Sequence, residues 1–453
     1  MTRPPAVETV LSNPGLVQAI QRLGRPVVTE HVRAAVARMR SQIAPGAAWP
    51  DAEEIIKAVK QRIAEQAQMF PRRVVNATGV LLHTNLGRTP WDAGMLAAIS
   101  ERLTSYLSLE YDLVTGARGR RGSAVEAELA ALAGSESALI VNNNAAAVYL
   151  VLTALAWGKD VVISRGELVQ IGGGFRIPEI LAKSGARLRE IGTTNRTTLR
   201  DYEAACGPQT ALILKIHRSN FVQIGFVSEV EPKALSGLGK GRGIPVVWDV
   251  GSGAVGQGLV CEYSGDPTLG GAVASGVELV TASGDKLFGG PQAGIILGRA
   301  DLIGRLRTDA FYRALRPGKG TLLALEKTVA AHRAGRASAE VPLYQLLDVS
   351  ANDLRARAAK LAETATRSGW NSSVVATQDT FGGGAAPGKT IPGWGLRLDP
   401  PPAADIIAAA ARRHDRPIVG TVNDQAVLFS LRTMFPQDDA VVAQFLSEPL
   451  PPI

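Results

Sequence analysis

Ser283-Gly284-Asp285-Lys286-Leu287-Phe288-Gly289-Gly290-Pro291-Gln292-Ala293-Gly294 is the stretch whose reading decides the fold. It lies between two apolar, strand-like runs, Val277-Glu278-Leu279-Val280-Thr281-Ala282 and Gly294-Ile295-Ile296-Leu297-Gly298. A single lysine is thus set in a glycine-rich turn, with strands on both sides. A lysine that is partly desolvated there has a neutral amine often enough to attack a carbonyl, which suits a Schiff base. The same spacing also fits a surface lysine in a turn between strand and helix.

Working back along the chain, Val246-Val247-Trp248-Asp249-Val250-Gly251-Ser252-Gly253 is an apolar strand that ends in an aspartate and glycines. In open α/β sheets, ligands gather at the carboxyl ends of strands. An aspartate ahead of a Schiff-base lysine keeps a pyridine nitrogen protonated, so that the ring of pyridoxal 5'-phosphate acts as an electron sink. As a plain alternative, Asp249 is a helix N-cap. Further upstream, Ala138-Leu139-Ile140-Val141 runs into Asn142-Asn143-Asn144-Ala145 and an alanine-rich helix. The free N–H groups and positive end of such a helix suit a phosphate, and asparagines at this place also serve as ordinary caps. Phosphate turn, aspartate and lysine, in that order, form the pattern of a pyridoxal-phosphate enzyme of the aspartate-aminotransferase fold type, fold type I.

The chain has 453 residues, of which 46% are hydrophobic, so a packed globular protein of two or three domains is expected. No run of 18 or more apolar residues predicts a membrane span, and the first residues lack the apolar core of a secretory signal. The two cysteines and five histidines show no metal-ligand spacing, so no metal is expected, and so few cysteines fit a reducing cytoplasm. Net charge is +8, and residues 1–75 hold eleven Lys and Arg against six Asp and Glu, a local +5. A basic leading segment points to a polyanionic partner such as nucleic acid, or to an ordinary solvated helical face.

Helical spacing predicts helices over 7–11, 15–24, 29–43 and 51–70, with a break at Pro45-Gly46-Ala47-Ala48-Trp49-Pro50. This lead reads as too polar to stand as a domain of much size. From about residue 75, strands at 138–142, 160–163, 187–191, 211–216, 245–249, 277–281 and 294–298 alternate with helices, predicting a mostly parallel seven-stranded sheet. A small α+β domain follows: helices at 354–368 and 405–414, strands at 374–377 and 394–398, and a hairpin of 418–422 with 426–430 turned at Asn423-Asp424. Gly382-Gly383-Gly384-Ala385-Ala386-Pro387-Gly388 reads as a flexible turn within it. The expected domains are a helical N-terminal domain and linker (1–70), a large α/β domain (71–335) and the small C-terminal domain (336–453).

Taken together, these residues resemble the bacterial L-seryl-tRNA(Sec) selenium transferases, the selenocysteine synthases, over nearly the whole chain. The resemblance is carried by Asn76-Ala77-Thr78-Gly79 through Leu86-Gly87-Arg88, by Val141 through Val148, and by Ser164-Arg165-Gly166-Glu167-Leu168-Val169-Gln170-Ile171-Gly172-Gly173. Gly192-Thr193-Thr194-Asn195-Arg196-Thr197, Asp249 through Gly253 and Ser283 through Gly294 add to it. The chain departs from the family pattern at Arg218, Phe221, Phe288, Pro317-Gly318 and the 116–123 loop.

The resemblance implies an enzyme that converts L-seryl-tRNA(Sec) to L-selenocysteinyl-tRNA(Sec) with selenophosphate, through elimination of the serine hydroxyl to an aminoacrylyl-tRNA and addition of selenium. Lys286 is implied as the Schiff-base residue and proton carrier, and Asp285 as an acid for the departing hydroxyl or as a structural residue. Asp249, Asn143, Asn144, Ala145, Asn220 and Ser283 are implied around the cofactor, with Asn220 on its ring oxygen. Arg88, Arg313 and Arg316 are implied as the selenophosphate site, since guanidinium forks suit phosphate oxygens. The leading helices look like the family's tRNA-binding domain. A homo-oligomer is implied, a dimer at least and, on the family's pattern, a ring of ten subunits, cytoplasmic, with no membrane or DNA partner. The alternative is a pyridoxal-phosphate ammonia-lyase of the same superfamily acting on a free amino-sugar acid, which needs neither the basic lead nor the Arg313/Arg316 pair.

Overall fold

The computed structural model describes residues 5–44, 48–171, 174–256 and 258–449. The predicted break at Pro45-Gly46-Ala47 and the end of the Ser164 run, Gly172-Gly173, lie outside the described residues. The chain divides between Val74 and Val75 into two compact units.

In the first unit, helices Val7–Leu11, Val17–Leu23, Arg25–Gln42 and Ala52–Gln68 are joined by a 3₁₀ turn, Pro14–Leu16. Three of the starts have a visible local cause. Asn13 accepts from the Gly15 N–H, Pro26 sits in the first turn of its helix, and Asp51 forms a capping box with Glu54. The helices bury Val10, Leu16, Val28, Val32, Ile55 and Val59 completely. The apolar residues of this polar segment are few, but their spacing puts them on facing stripes, and a stripe is what packs.

The second unit is built on seven strands: β1 (Ser137–Val141), β2 (Asp160–Ser164), β3 (Arg187–Ile191), β4 (Thr210–Ile216), β5 (Val246–Gly251), β6 (Leu279–Ser283) and β7 (Gly294–Gly298). Their order is β1-β7-β6-β5-β4-β2-β3. All neighbouring pairs among β2 to β6 are parallel, and β7 alone runs antiparallel, between β1 and β6. The central strands are buried throughout, as expected of a sheet covered on both faces, with Leu139, Ile163, Leu214 and Ile296 facing one layer of helices and Ile140, Val162, Ile213 and Ile295 the other. β6 starts two residues later than its apolar run predicts, and the carboxylate of Glu278, just before it, accepts the N–H of Val246, the first residue of β5.

The C-terminal part is an antiparallel sheet of β8 (Asn371–Thr380), β9 (Thr390–Asp399), β10 (Thr421–Asn423) and β11 (Ala426–Ser430), in the order β8-β9-β11-β10. Helices Ala351–Arg367, Ala404–Arg413 and Asp439–Ser447 share its core. Two local expectations are corrected. Ile418–Val419 leaves the hairpin and pairs in parallel with Val75–Asn76, and the turn falls on Asp424 and Gln425, both at positive φ. The 382–388 loop is not free, for Ala385 and Ala386 are buried.

Candidate active site

Lys286 lies in the turn between β6 and β7, and the backbone of that turn is held at nearly every residue. The Gly284 N–H donates to Ala293 O (2.8 Å) and the Leu287 N–H to Ser252 O (2.8 Å). Thr89 Oγ1 donates to Asp285 O (2.9 Å), Tyr344 donates its hydroxyl to Leu287 O (3.1 Å), and His332 Nε2 meets Phe288 O at 2.8 Å. Three side chains from three separate segments therefore fix the carbonyls at and beside the lysine. Lys286 is 5% exposed. Burial pulls its amine below the ordinary lysine range, and the negative charge of Asp249 works against that pull.

Asp249, at the carboxyl end of β5, is 4% exposed. Its Oδ1 accepts from Asn144 Nδ2 (2.9 Å), Thr281 Oγ1 (3.0 Å) and the Gly251 N–H (3.1 Å). Burial raises this carboxyl above the ordinary range, and the bond from Asn144 opposes it. With the donors gathered on Oδ1, Oδ2 is the oxygen best placed to meet a ligand's N–H.

The third wall is the start of helix Asn144–Ala156. Asn143 caps it, with Oδ1 accepting from the Ala146 N–H (2.8 Å). The N–H groups of Asn144 and Ala145, in the first turn, have no partner within the helix, the general condition under which a helix start can accept an anion. The Asn144 side chain is committed to Asp249 rather than to the helix end. A cavity of about 250 Å³ is lined by Lys286, Asp249, Ser283, Asn143, Asn144 and Ala145, together with Arg88, Asp285 and Gln292. Asn144 Oδ1 is a buried acceptor with no partner. Buried amine, raised carboxyl, helix N-terminus and an unpartnered polar atom on one cavity fit pyridoxal phosphate.

Arg88 adopts a positive φ of 60°, and its Nη1 pairs with Asp285 Oδ2 at 2.8 Å. Asp285, implied as an acid or as a structural residue, pairs its carboxylate with Arg88 here. Three other expected residues are not brought to the cavity. Asn220 is exposed and donates to Gln170 O (2.7 Å). Arg313 is exposed on the short helix Tyr312–Leu315, and Arg316 pairs with Glu110 (3.1 Å). Glu110 also meets Arg118 and Arg121, and the bond from Arg121 holds its carboxyl below the usual range. A larger groove of about 630 Å³, lined by Arg102, Arg118 and Arg120 among others, lacks both Lys286 and Asp249.

Sequence reasoning missed Thr281, Gln292 and Gly384. Thr281 and Gln292 sit in runs already singled out, one strand residue and one turn residue from recognised positions. Gly384 lies in the glycine-rich stretch read as a flexible turn, and nothing in that stretch signals that it reaches the lysine from the C-terminal sheet. A Cβ at Gly384 would stand 2.7 Å from Lys286 Nζ. Among the described residues no cluster of His, Cys, Asp and Glu can hold a metal ion, and no helix is long and apolar enough to cross a membrane.

Comparison with known proteins gives this geometry its context. Residues 74–435 match the family described as L-seryl-tRNA selenium transferase, and residues 5–40 match the selenocysteine synthase N-terminal family. The L-seryl-tRNA(Sec) selenium transferase of Moorella thermoacetica is 42% identical over 452 residues, covering 98% of this chain and 96% of that protein. That of Solidesulfovibrio magneticus is 41% identical, covering 99% and 98%. Among solved structures, D-glucosaminate-6-phosphate ammonia-lyase superposes with a TM-score of 0.60 at 19% identity, over 85% of this chain and 97% of that one, which shows a shared fold. Full-length identity near 40%, with both family matches in place, means that the chain belongs to the L-seryl-tRNA(Sec) selenium transferase family.

Proposed function

We propose that this protein converts L-seryl-tRNA(Sec) to L-selenocysteinyl-tRNA(Sec), replacing the serine Cβ oxygen by selenium from selenophosphate, with pyridoxal 5'-phosphate as cofactor. The observation that carries the reading is the full-length family match together with a cavity that unites Lys286, Asp249 and a helix N-terminus. The cofactor, when bound, supplies an electron sink for charge at the substrate Cα. Lys286 Nζ is the attachment point, and the desolvation that favours its neutral amine fits it to take the Cα proton and return it. Asp249, fixed by three donors on one oxygen, holds a ring nitrogen in its protonated form. The N–H groups of Asn144 and Ala145 hold the phosphate. Arg88, steered by Asp285, offers its guanidinium to the anionic selenium donor. Arg313 and Arg316 join that site across a subunit boundary, for within one chain they lie apart from the cavity. The protein works in the cytoplasm as a homo-oligomer, with the basic residues 1–70 as its tRNA-binding domain. The ammonia-lyase alternative shares only the fold, at 19% identity.

An absorbance spectrum of the purified protein with pyridoxal phosphate, beside Lys286→Ala, tests the reading. A visible band that is lost in the variant and shifts with seryl-tRNA(Sec), but not with free serine, is expected. A band that answers only a free amino acid favours the lyase, and no band at all overturns the enzyme assignment.

A further inference from the structure

We propose that Asp266 is a positioning residue that fastens the 382–388 loop of the C-terminal sheet over Lys286; this rests on the proposed role of the lysine. Asp266 follows the short helix Leu259–Ser264 and is 6% exposed. A carboxylate so buried is costly unless each oxygen is matched. Its Oδ2 accepts the backbone N–H of Ala386 at 3.1 Å, and its Oδ1 meets His217 Nε2 at 3.2 Å. His217 in turn donates its backbone N–H to Asp249 O at 2.8 Å. One side chain thus ties the loop to the strand end that carries Asp249.

The loop has a reason to need tying. Ala386 sits at φ 49° and Gly384 at φ 90°. For alanine, the left-handed region is unfavourable and persists only where surroundings hold it. At its other end the loop is anchored by the Leu82 N–H on Phe381 O (2.7 Å). Between the two anchors, Gly384 lies against the end of the lysine, where an added Cβ would fall 2.7 Å from Nζ and 3.1 Å from Cε. The loop therefore limits where Nζ can swing. Asp249, Asp285 and Asp266 also favour the charged amine from their several elements, while Arg88 opposes it.

Asp266→Asn keeps the size of the side chain but offers one acceptor oxygen where two bonds are now accepted. Three readouts are taken on the enzyme loaded with pyridoxal phosphate: amide exchange of residues 382–388, the rate at which cyanoborohydride bleaches the visible band, and kcat against KM for seryl-tRNA(Sec). Faster exchange, faster bleaching and a kcat lower by about tenfold to a hundredfold at unchanged KM are expected. His217→Ala, which spares the Ala386 bond, should leave loop exchange as in wild type. Gly384→Ala leaves Asp266 untouched and should cut kcat in the same way, so the inference stays testable if Asp266→Asn does not fold. Wild-type exchange and bleaching in Asp266→Asn, wild-type kcat in Gly384→Ala, or a loss expressed in KM, would each overturn it. If wild type itself shows no band, the cofactor reading fails, and this inference fails with it. A band in wild type with an unaltered Asp266→Asn sinks the inference alone.

Discussion

Lys286 and Asp249 are both pushed toward neutrality by burial and drawn toward charge by each other. Because burial lowers the lysine pKa, its neutral fraction at a given pH exceeds that of a free lysine. Capture of pyridoxal phosphate by the apoprotein should therefore rise with pH around a midpoint below about 10.4, the ordinary lysine value. Stopped-flow absorbance across pH reads this midpoint, and a value at or above that of free lysine would count against desolvation. Asp249→Asn should keep the band, since Lys286 is intact, but lower kcat by about a hundredfold or more, because a neutral amide cannot hold a ring nitrogen protonated. At this scale the sequence was legible where function sits at a strand end. Lys286, Asp249 and Asn143 were all found from an apolar run that stops at a polar residue. Asn220, Arg313 and Arg316 were named from likeness alone, and their neighbours in one chain are Gln170, solvent and Glu110.

Among the elements, helix Asn144–Ala156 is the one most tightly bound to the proposed chemistry. Asn143 serves it as cap, while its first N–H groups face the cavity. Asn143→Ala should cost about 1 kcal/mol of stability, measured by urea unfolding, and should weaken phosphate-dependent cofactor affinity at the same time. A stability loss with unchanged cofactor affinity would make the residue a cap only. The seven strands were legible because each is a short apolar run with turn residues at its ends. The antiparallel course of β7 was not, since hydrophobicity does not record direction. Nor was the fate of Ile418–Val419, whose partner Val75–Asn76 lies more than 340 residues earlier in the chain.

At the scale of the whole molecule, the first unit has its own core, and its charge suits a polyanion. A chain starting at Val75 should keep the visible band and lose most of its affinity for seryl-tRNA(Sec). Full-length binding should weaken steeply with salt, because each phosphate neutralised by lysine or arginine releases counterions. Electrophoretic mobility shifts at two salt concentrations check both outcomes, and full tRNA affinity in the shortened chain would remove the proposed role of residues 1–70. By itself, the sequence determined the class of sheet, the order of its strands along the chain, and the lysine, aspartate and phosphate turn. These rest on local periodicity and on residues that end strands, and neighbours in sequence set both. Only the tertiary structure decided that Asn144 serves Asp249, that Asp285 holds Arg88, and that a glycine-rich loop from the C-terminal sheet closes on Lys286. Those contacts join residues 98 to 197 positions apart, and no local pattern in the sequence records which distant segments the packed core will bring together.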